Sequence, residues 1–430
     1  MDLLSEILAN EVFPAIGCTE PISCAYAAAA AAEQLNAPVS RLTVEVDPGT
    51  YKNGAAVTIP NSGGATGNGI AAALGAVIAK SALRLEILKD VTPNVLATAK
   101  GLIQRGVLDY RCKTEQNGLH VEVTAEGGGS RVRCIVSEGH TNITCLEKNG
   151  TSLMDAHPHA GPHDHPYRTR LKNMRVEEVL QAVTQLDAAR RAQIQRGIDM
   201  NLAISEKGFA LKRTAYQLQQ MIEVGIKKDD LFYQVKVRVA SAVDARMGGL
   251  AEPVMTSGGS GNQGVLTILV PYLVGTDRQV PLRTIQESIA ISHAMNSYIK
   301  CFIGELSVLC GCAIAASVGA AIALVYQQAG IDMQRIAFAI DNVIGDLCGI
   351  ICDGAKPGCS MKIVSGADTV IRSAFMAIAG FGLSAQDGVL GHTPEESIQN
   401  LSKVSLEGMG LVDPTVVNIL ESKSLRRGCA

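Results

Sequence analysis

The sequence predicts an α+β protein, with a small antiparallel-sheet N-terminal part packed with a large, mainly helical C-terminal domain. Three observations carry this. Segments of apolar–polar alternation lie between Arg41 and Leu146. From about Val176 onward nearly every stretch has helical periodicity. The chain is 47% hydrophobic but only 4% aromatic, with no Trp and 43 Gly among its 430 residues. Its core must therefore be built from Ala, Val, Ile and Leu, and small side chains favour helices that approach closely. The division falls at about residue 170. Residues 1–170 form an α+β domain with a Gly-rich loop, whose first helices are able to dock on the helical domain of residues 171–430.

Each element follows from its own residues. Leu3 to Val12 is amphipathic and is broken at Pro14. Gly17-Cys-Thr-Glu-Pro21 opens an Ala-rich run to Leu35, with Thr19 as N-cap and Pro21 near the first helical position. Arg41 to Asp47 alternates like a strand, and Ala55 to Ile59 likewise. Gly-rich Asn61 to Gly69 leads into a helix through Ile78, and helical pattern returns from Val95 to Arg105. His120 to Ala125 alternates, Gly127 to Ser130 turns, and Arg131 to Val136 runs back, with a third strand after Gly139-His-Thr-Asn142. A linker-like loop follows Met154. Within the helical half, Gly258-Gly-Ser-Gly-Asn-Gln-Gly264 interrupts the pattern and precedes an apolar run. Leu306 to Val325 is 20 residues without a charge, long enough to cross a bilayer. It contains Cys310 and Cys312 and lacks aromatic anchors, so it reads as a buried core helix and no membrane partner is expected.

A net charge of −3 without a basic stripe argues against nucleic acid and leaves small metabolites as the expected partners. The sequence permits a homodimer. Twelve cysteines fall at irregular spacings, and Met1-Asp-Leu-Leu-Ser-Glu6 is acidic where a secretory segment would be basic. Reduced thiols in a cytoplasmic chain are expected, where clustered Cys more often means metal or catalysis than disulfides.

Cys352 and Cys359 flank the Asp-Gly-Ala-Lys-Pro-Gly loop, and Cys312 lies 40 residues upstream of the first. Iron–sulfur clusters take thiolates on irregular loops of this kind, and three of them would hold a cubane with one iron left open. Three unrelated core cysteines are the plain alternative, and Cys310, Cys348 and Cys429 offer other ligands. Cys18 stands at or beside a helix start, where the dipole lowers a thiol pKa, which makes it a base, nucleophile or ligand unless it is a buried structural thiol. The Gly-rich loops at 61–69 and 257–264 could bind a carboxylate through helix N-terminal N–H groups. They lack the Lys-Ser/Thr of a P-loop, and their other reading is two structural turns. The stretch Asp155 to Pro166, with histidines at 157, 159, 163 and 165, reads as an exposed loop that holds metal only adventitiously.

Six separated motifs then carry a resemblance: Gly17-Cys-Thr-Glu-Pro-Ile-Ser23, Lys52-Asn-Gly54, Gly139-His-Thr-Asn142, Asp244-Ala-Arg-Met-Gly-Gly249, Ser257-Gly-Gly-Ser-Gly-Asn-Gln-Gly264 and Ile351-Cys-Asp-Gly-Ala355. Together, and essentially end to end, the chain resembles the L-cysteine desulfidase family, a branch related to the iron–sulfur L-serine dehydratase α chain. The resemblance implies a 4Fe–4S cluster held by Cys312, Cys352 and Cys359, and conversion of L-cysteine to pyruvate, ammonia and hydrogen sulfide. It implies Cys18 as the catalytic residue. It also implies a substrate site drawn from Thr19, Glu20, Lys52, Asn53, Asn61, Ser62, His140, Thr141, Ser260, Asn262 and Gln263. An open iron would act as Lewis acid on the leaving group while a base removes the Cα proton. L-cysteine is expected over L-serine because soft thiolates suit iron–sulfur sites. A serine deaminase with the same cluster is the nearest rival, and a metal- or redox-sensing protein the more distant one. Asp353, the acid beside Cys352, reads as a turn residue before Gly354.

Overall fold

The computed structural model describes residues 2–116, 118–154, 166–304 and 306–427, and the chain is a mixed α+β protein, 60% helical with small sheets. Helix α1 (Leu3–Glu11) begins where the Asp2 carboxylate accepts from the Ser5 N–H at 3.0 Å. After the two-residue strand β1 (Pro14–Ala15) comes α2 (Thr19–Glu33). Its N-cap is Cys18 and not Thr19, because Cys18 has the extended backbone of a cap while Thr19 has entered the helix; no side chain caps this end. Helix α2 is buried almost throughout. Ala25 and Ala29 belong to one hydrophobic core, and Ala27, Ala28, Ala30 and Ala31 belong to a second.

The second core lies under a six-stranded sheet. Strand β2 (Arg41–Val46) leads to α3 (Pro48–Gly54), α4 (Asn68–Ile78), a 3-10 segment over Ser81–Asp90, and α5 (Pro93–Gln104). Then follow β3 (Leu108–Cys112), β4 (His120–Gly127), β5 (Ser130–Ser137), β6 (Ile143–Lys148) and β7 (Thr151–Ser152), in the spatial order β3-β2-β4-β5-β6-β7. Val44, Val121, Val123, Val132 and Val136 point to α2 and are fully buried. The sheet is mixed and not purely antiparallel. Strand β3 pairs parallel to β2, a pairing made possible by the helical crossover between the two. Ala55 to Ile59 is no strand either. It makes a single bridge, Thr58 to Thr66, and sends Val57 and Ile59 into the helical core.

The first core fills the helical half: α6 (Pro166–Lys172), α7 (Val176–Val183), α8 (Ala188–Lys207), α9 (Thr214–Glu223) and α10 (Leu231–Met247), then, past β8 (Val254–Met255), α11 (Gly261–Asp277), α12 (Leu282–Ile303), α13 (Ala315–Ala329), α14 (Met333–Leu347), α15 (Cys359–Ile378), α16 (Pro394–Lys403) and α17 (Val412–Arg427). Helix α13 is its axis, packed by α11, α12, α14 and α15. Of the uncharged run 306–325 only its C-terminal part, from Ala315, is in this helix, since residues 306–314 turn irregularly. Among the described residues no helix is long and apolar enough to cross a membrane.

One close approach fixes α4 on α2, and one strand pairing joins the two halves. A Cβ on Gly75 of α4 would run into the Ala25 carbonyl of α2. Strand β1 pairs antiparallel with β8, Pro14 opposite Met255 and Ala15 opposite Val254, which seats the start of α2 beside the Gly-rich loop 257–264. The His-rich loop 157–165 and Cys429 lie outside the described residues.

Candidate functional site

Four chain segments converge on one cavity. The first is the start of α2, where Gly17 (φ 78°) turns the chain against Pro60 and presents Cys18, Thr19 and Glu20. The second is α3, whose Asn53 donates to the Glu20 carboxylate at 3.0 Å. The third is the loop 257–264, in which Gly258 (φ 54°) and Gly259 (φ 71°) allow a turn tight enough for the Ser257 N–H to reach the Ser260 carbonyl at 3.1 Å. The fourth is a pair of antiparallel turns. Cys310 N–H donates to the Ile350 carbonyl at 2.8 Å and Cys352 N–H to the Val308 carbonyl at 2.7 Å, across a Leu309–Ile351 bridge. Cys359 follows at the first turn of α15.

The cavity wall includes Cys18, Cys310, Cys312, Cys352 and Cys359. None of these thiols is in a disulfide. Their contacts are long: Cys352 to the Asn53 carbonyl oxygen at 3.6 Å, Cys359 to the Gly354 carbonyl at 3.7 Å, and Cys312 to the Ser260 hydroxyl at 3.7 Å. Burial pushes the Cys359 thiol up to about 11 against the pull of Lys356, and raises Cys352 against that of Lys52. Cys310 is raised first by its hydrogen bond with Cys312 and then by burial. Sulfur donors gathered in one cavity, with only long contacts to the protein itself, suit a soft iron–sulfur group. Among the described residues no three His, Cys, Asp or Glu side chains form a single-ion site. The donors line a wall, an arrangement that suits a polynuclear cluster better than one ion.

Arg246, at the end of α10, ties the site together. It donates to the Gly17 carbonyl at 2.7 Å and to the Asn262 side-chain oxygen at 3.0 Å, and lies 3.7 Å from the Cys18 sulfur. Its buried Nε has no hydrogen-bond partner. The Cys18 thiol is not lowered by its helix terminus. Burial pushes it up to about 12, and Arg246 opposes this only in part, because the desolvation of a thiolate outweighs a partial dipole charge. Beneath the loop, Asn296 donates to the Gln263 oxygen at 2.9 Å and to the Ser257 hydroxyl at 3.0 Å, and His293 contacts the same hydroxyl at 2.9 Å.

Most of the residues expected from the sequence line this cavity: Cys18, Thr19, Glu20, Asn53, His140, Ser260, Asn262, Gln263, Cys312, Cys352 and Cys359. Four do not. Asn61 donates to the Leu88 carbonyl at 3.0 Å, and Ser62 closes its own turn onto the Ile59 carbonyl at 2.6 Å, so the first Gly-rich loop serves as a structural turn. Lys52 is buried away from the cavity in an ion pair with Asp413 of α17. Thr141 lines the adjoining cavity. Asp353 is no proton donor: burial opposes its charge, but hydrogen bonds from Lys356 and Lys362 hold the carboxyl down at about 2. Arg246, Lys300 and Cys310 also line the wall, and the first two had a signal in the sequence. Each is a cation set in an apolar helical run, where a charge needs a buried purpose.

The family described as serine dehydratase alpha chain matches residues 82–418. The chain belongs to that family. The matched residues of this serine dehydratase alpha chain-like protein include the loop 257–264, Arg246, Cys312, Cys352 and Cys359, while Cys18, Glu20 and Asn53 precede them. Full-length similarity runs to UPF0597 proteins. That of Geobacter sulfurreducens is 46% identical over 98% of this chain and 99% of its own length. Those of Elusimicrobium minutum and Clostridium tetani are 43% and 36% identical, over 98% and 97% of this chain and 100% and 98% of their own.

Proposed function

We propose that this chain is an iron–sulfur-dependent lyase that converts L-cysteine to pyruvate, ammonia and hydrogen sulfide. The observation that carries the reading is the gathering of Cys312, Cys352, Cys359 and Cys18 in one cavity with a Gly-rich loop and Glu20. The first three would hold a 4Fe–4S cluster. When bound, the cluster supplies Lewis-acid iron that favours departure of the substrate's sulfur.

The protein residues do the rest. N–H groups of the loop 257–264, with Ser260, Asn262 and Gln263, bind the substrate carboxylate at the start of α11. Glu20, oriented by Asn53, takes the ammonium. Cys18 serves the Cα proton. Its thiolate is opposed by burial and supported by Arg246, so the proton-accepting form grows with pH. With the proton gone and the sulfur lost, aminoacrylate remains, and water converts it to pyruvate and ammonia. Belonging to the serine dehydratase alpha chain family favours a second reading, L-serine deamination in the same cavity.

Anaerobic reconstitution followed by paired pyruvate and sulfide assays tests both. About four irons per chain and equal sulfide and pyruvate from L-cysteine support the desulfidase. Pyruvate formed mainly from L-serine transfers the site to serine deamination, and no iron uptake removes both.

A further inference from the structure

A second cavity, of about 820 Å³, adjoins the thiol cavity, which holds only about 100 Å³. The two share Thr19, His140, Gly258 and Gly259 as a common wall. The larger one opens along the seam between α1, the 3-10 segment after α4, and the turn after β5. It is far too roomy to close around a residue as small as cysteine or serine, so a passage suits it better than a binding pocket.

Its charges are selective. Glu11 and Arg168 face it but are bound to each other at 2.7 Å. That leaves Arg84 and Glu138, one cation and one anion, both exposed and neither in an ion pair among the described residues. Both also sit in left-handed backbone, Arg84 at φ 46° and Glu138 at φ 64°. Arg84 combines this with ψ −121°, a region that glycine enters freely and a long side chain enters only under strain. Such outliers at the rim of a cavity point to a task for the side chain.

We propose that the larger cavity is the vestibule through which an α-amino acid zwitterion reaches the thiols, with Arg84 meeting its carboxylate and Glu138 its ammonium. This rests on the lyase reading for the identity of the traveller, but not for the route. The charged pair captures and the inner cavity reacts. Loss of the pair therefore slows capture without touching the chemical step.

The test replaces both strained residues by glycine, Arg84→Gly with Glu138→Gly, in the reconstituted protein. The thermal midpoint should stay or rise as strain is relieved. The kcat on L-cysteine should stay within about twofold while kcat/KM falls about tenfold, a loss confined to capture. An unchanged kcat/KM overturns the role of the pair. A second variant, Thr141→Trp, fills the vestibule without entering the thiol cavity, and is read by iodoacetamide labelling followed by mass spectrometry. Labelling of Cys18 should slow about tenfold while that of Cys112, on the far edge of the sheet, keeps its rate; a Cys18 labelling rate equal to that of the wild type overturns the route. If the wild type turns over neither L-cysteine nor L-serine but Thr141→Trp still shields Cys18, the lyase reading falls and the passage stands.

Discussion

The two cores that meet on α2 differ in what they do with polar groups. Under the sheet, Val and Ala fill the space, and the buried carboxylate of Glu122 is answered at the rim by Arg133 at 2.6 Å and Lys113 at 2.8 Å. The helical core takes polar groups inside: Arg246, Asn262, His293, Asn296 and Lys300 are all buried, with Arg246, Asn262 and Lys300 lining the thiol cavity and His293 and Asn296 beneath its Gly-rich loop. A buried polar interior strengthens every charge placed in it. The sheet gives shape to one wall. The helical core gives the chemistry.

Breaking the helical side should have the largest effect. Cys352→Ser is expected to lose most of its iron and nearly all turnover, measured by iron content and sulfide release, and a variant that keeps both would remove Cys352 from the ligand set. Cys18→Ala should retain iron and melt near the wild type while turnover falls on the order of 100- to 10,000-fold, the range of a lost proton-transfer group. A fully active Cys18→Ala would place proton transfer elsewhere on the wall.

The contact between the cores comes next. Gly75→Ala drives a methyl into the Ala25 carbonyl and should cost about 3 kcal/mol in urea unfolding, with loss of activity as α2 shifts. Val123→Ala, deep under the sheet, should cost about 2 kcal/mol yet leave kcat of the folded protein unchanged. If Val123→Ala lowers kcat as much as Gly75→Ala does, the division of labour between the cores is wrong.

Acid separates the cores more gently. Burial pushes His293 down to about 3, whereas the unfolded chain binds that proton near 6.5. Below about pH 6.5 the unfolded state holds the extra proton, so stability from a neutral His293 is full above that value and is lost as pH falls toward about 3. Asp341 works the other way: burial raises it to about 6, and what it contributes is lost as pH rises through that value. Glu122 is opposed by burial but held down at about 2 by Arg133 and Lys113. Its contribution is therefore present above about pH 4.3 and lost below it. Hydrogen exchange followed from pH 7 to pH 4 should show helices α11 and α12 loosening before β4 and β5. The reverse order would contradict this account.

Much of this was legible in the sequence, and the reasons differ by element. Alternation in His120 to Val136 gave the β4–β5 hairpin because polar residues alternate with Val and Ala along both strands, although in β4 the polar Glu122 and Thr124 are buried as well. Strand β3 was hidden, since its residues are half-buried on both faces at a sheet edge and show no alternation. Glycine spacing could not tell the loop 257–264 from the loop 61–69. The difference lies in what each packs on, a polar helix face with Asn296 and Lys300 in one case and its own turn in the other. The thiol trio could be named from motifs, but Arg246 could not be placed against Cys18 without the fold, because 228 residues separate them.

The pairing of β1 with β8 has a consequence for how the protein is made. Pro14 and Met255 stand opposite each other although the chain between them includes the whole sheet. On the ribosome the segment bearing Cys18 emerges early and has nothing to dock on until α10, α11 and the turns at 310 and 352 have followed. Contacts this distant in sequence form late and slowly. The sheet can form by itself during that wait, whereas the start of α2 and the cysteines must come together last. Assembly of the cavity therefore waits until residues as far along the chain as Cys359 have been made.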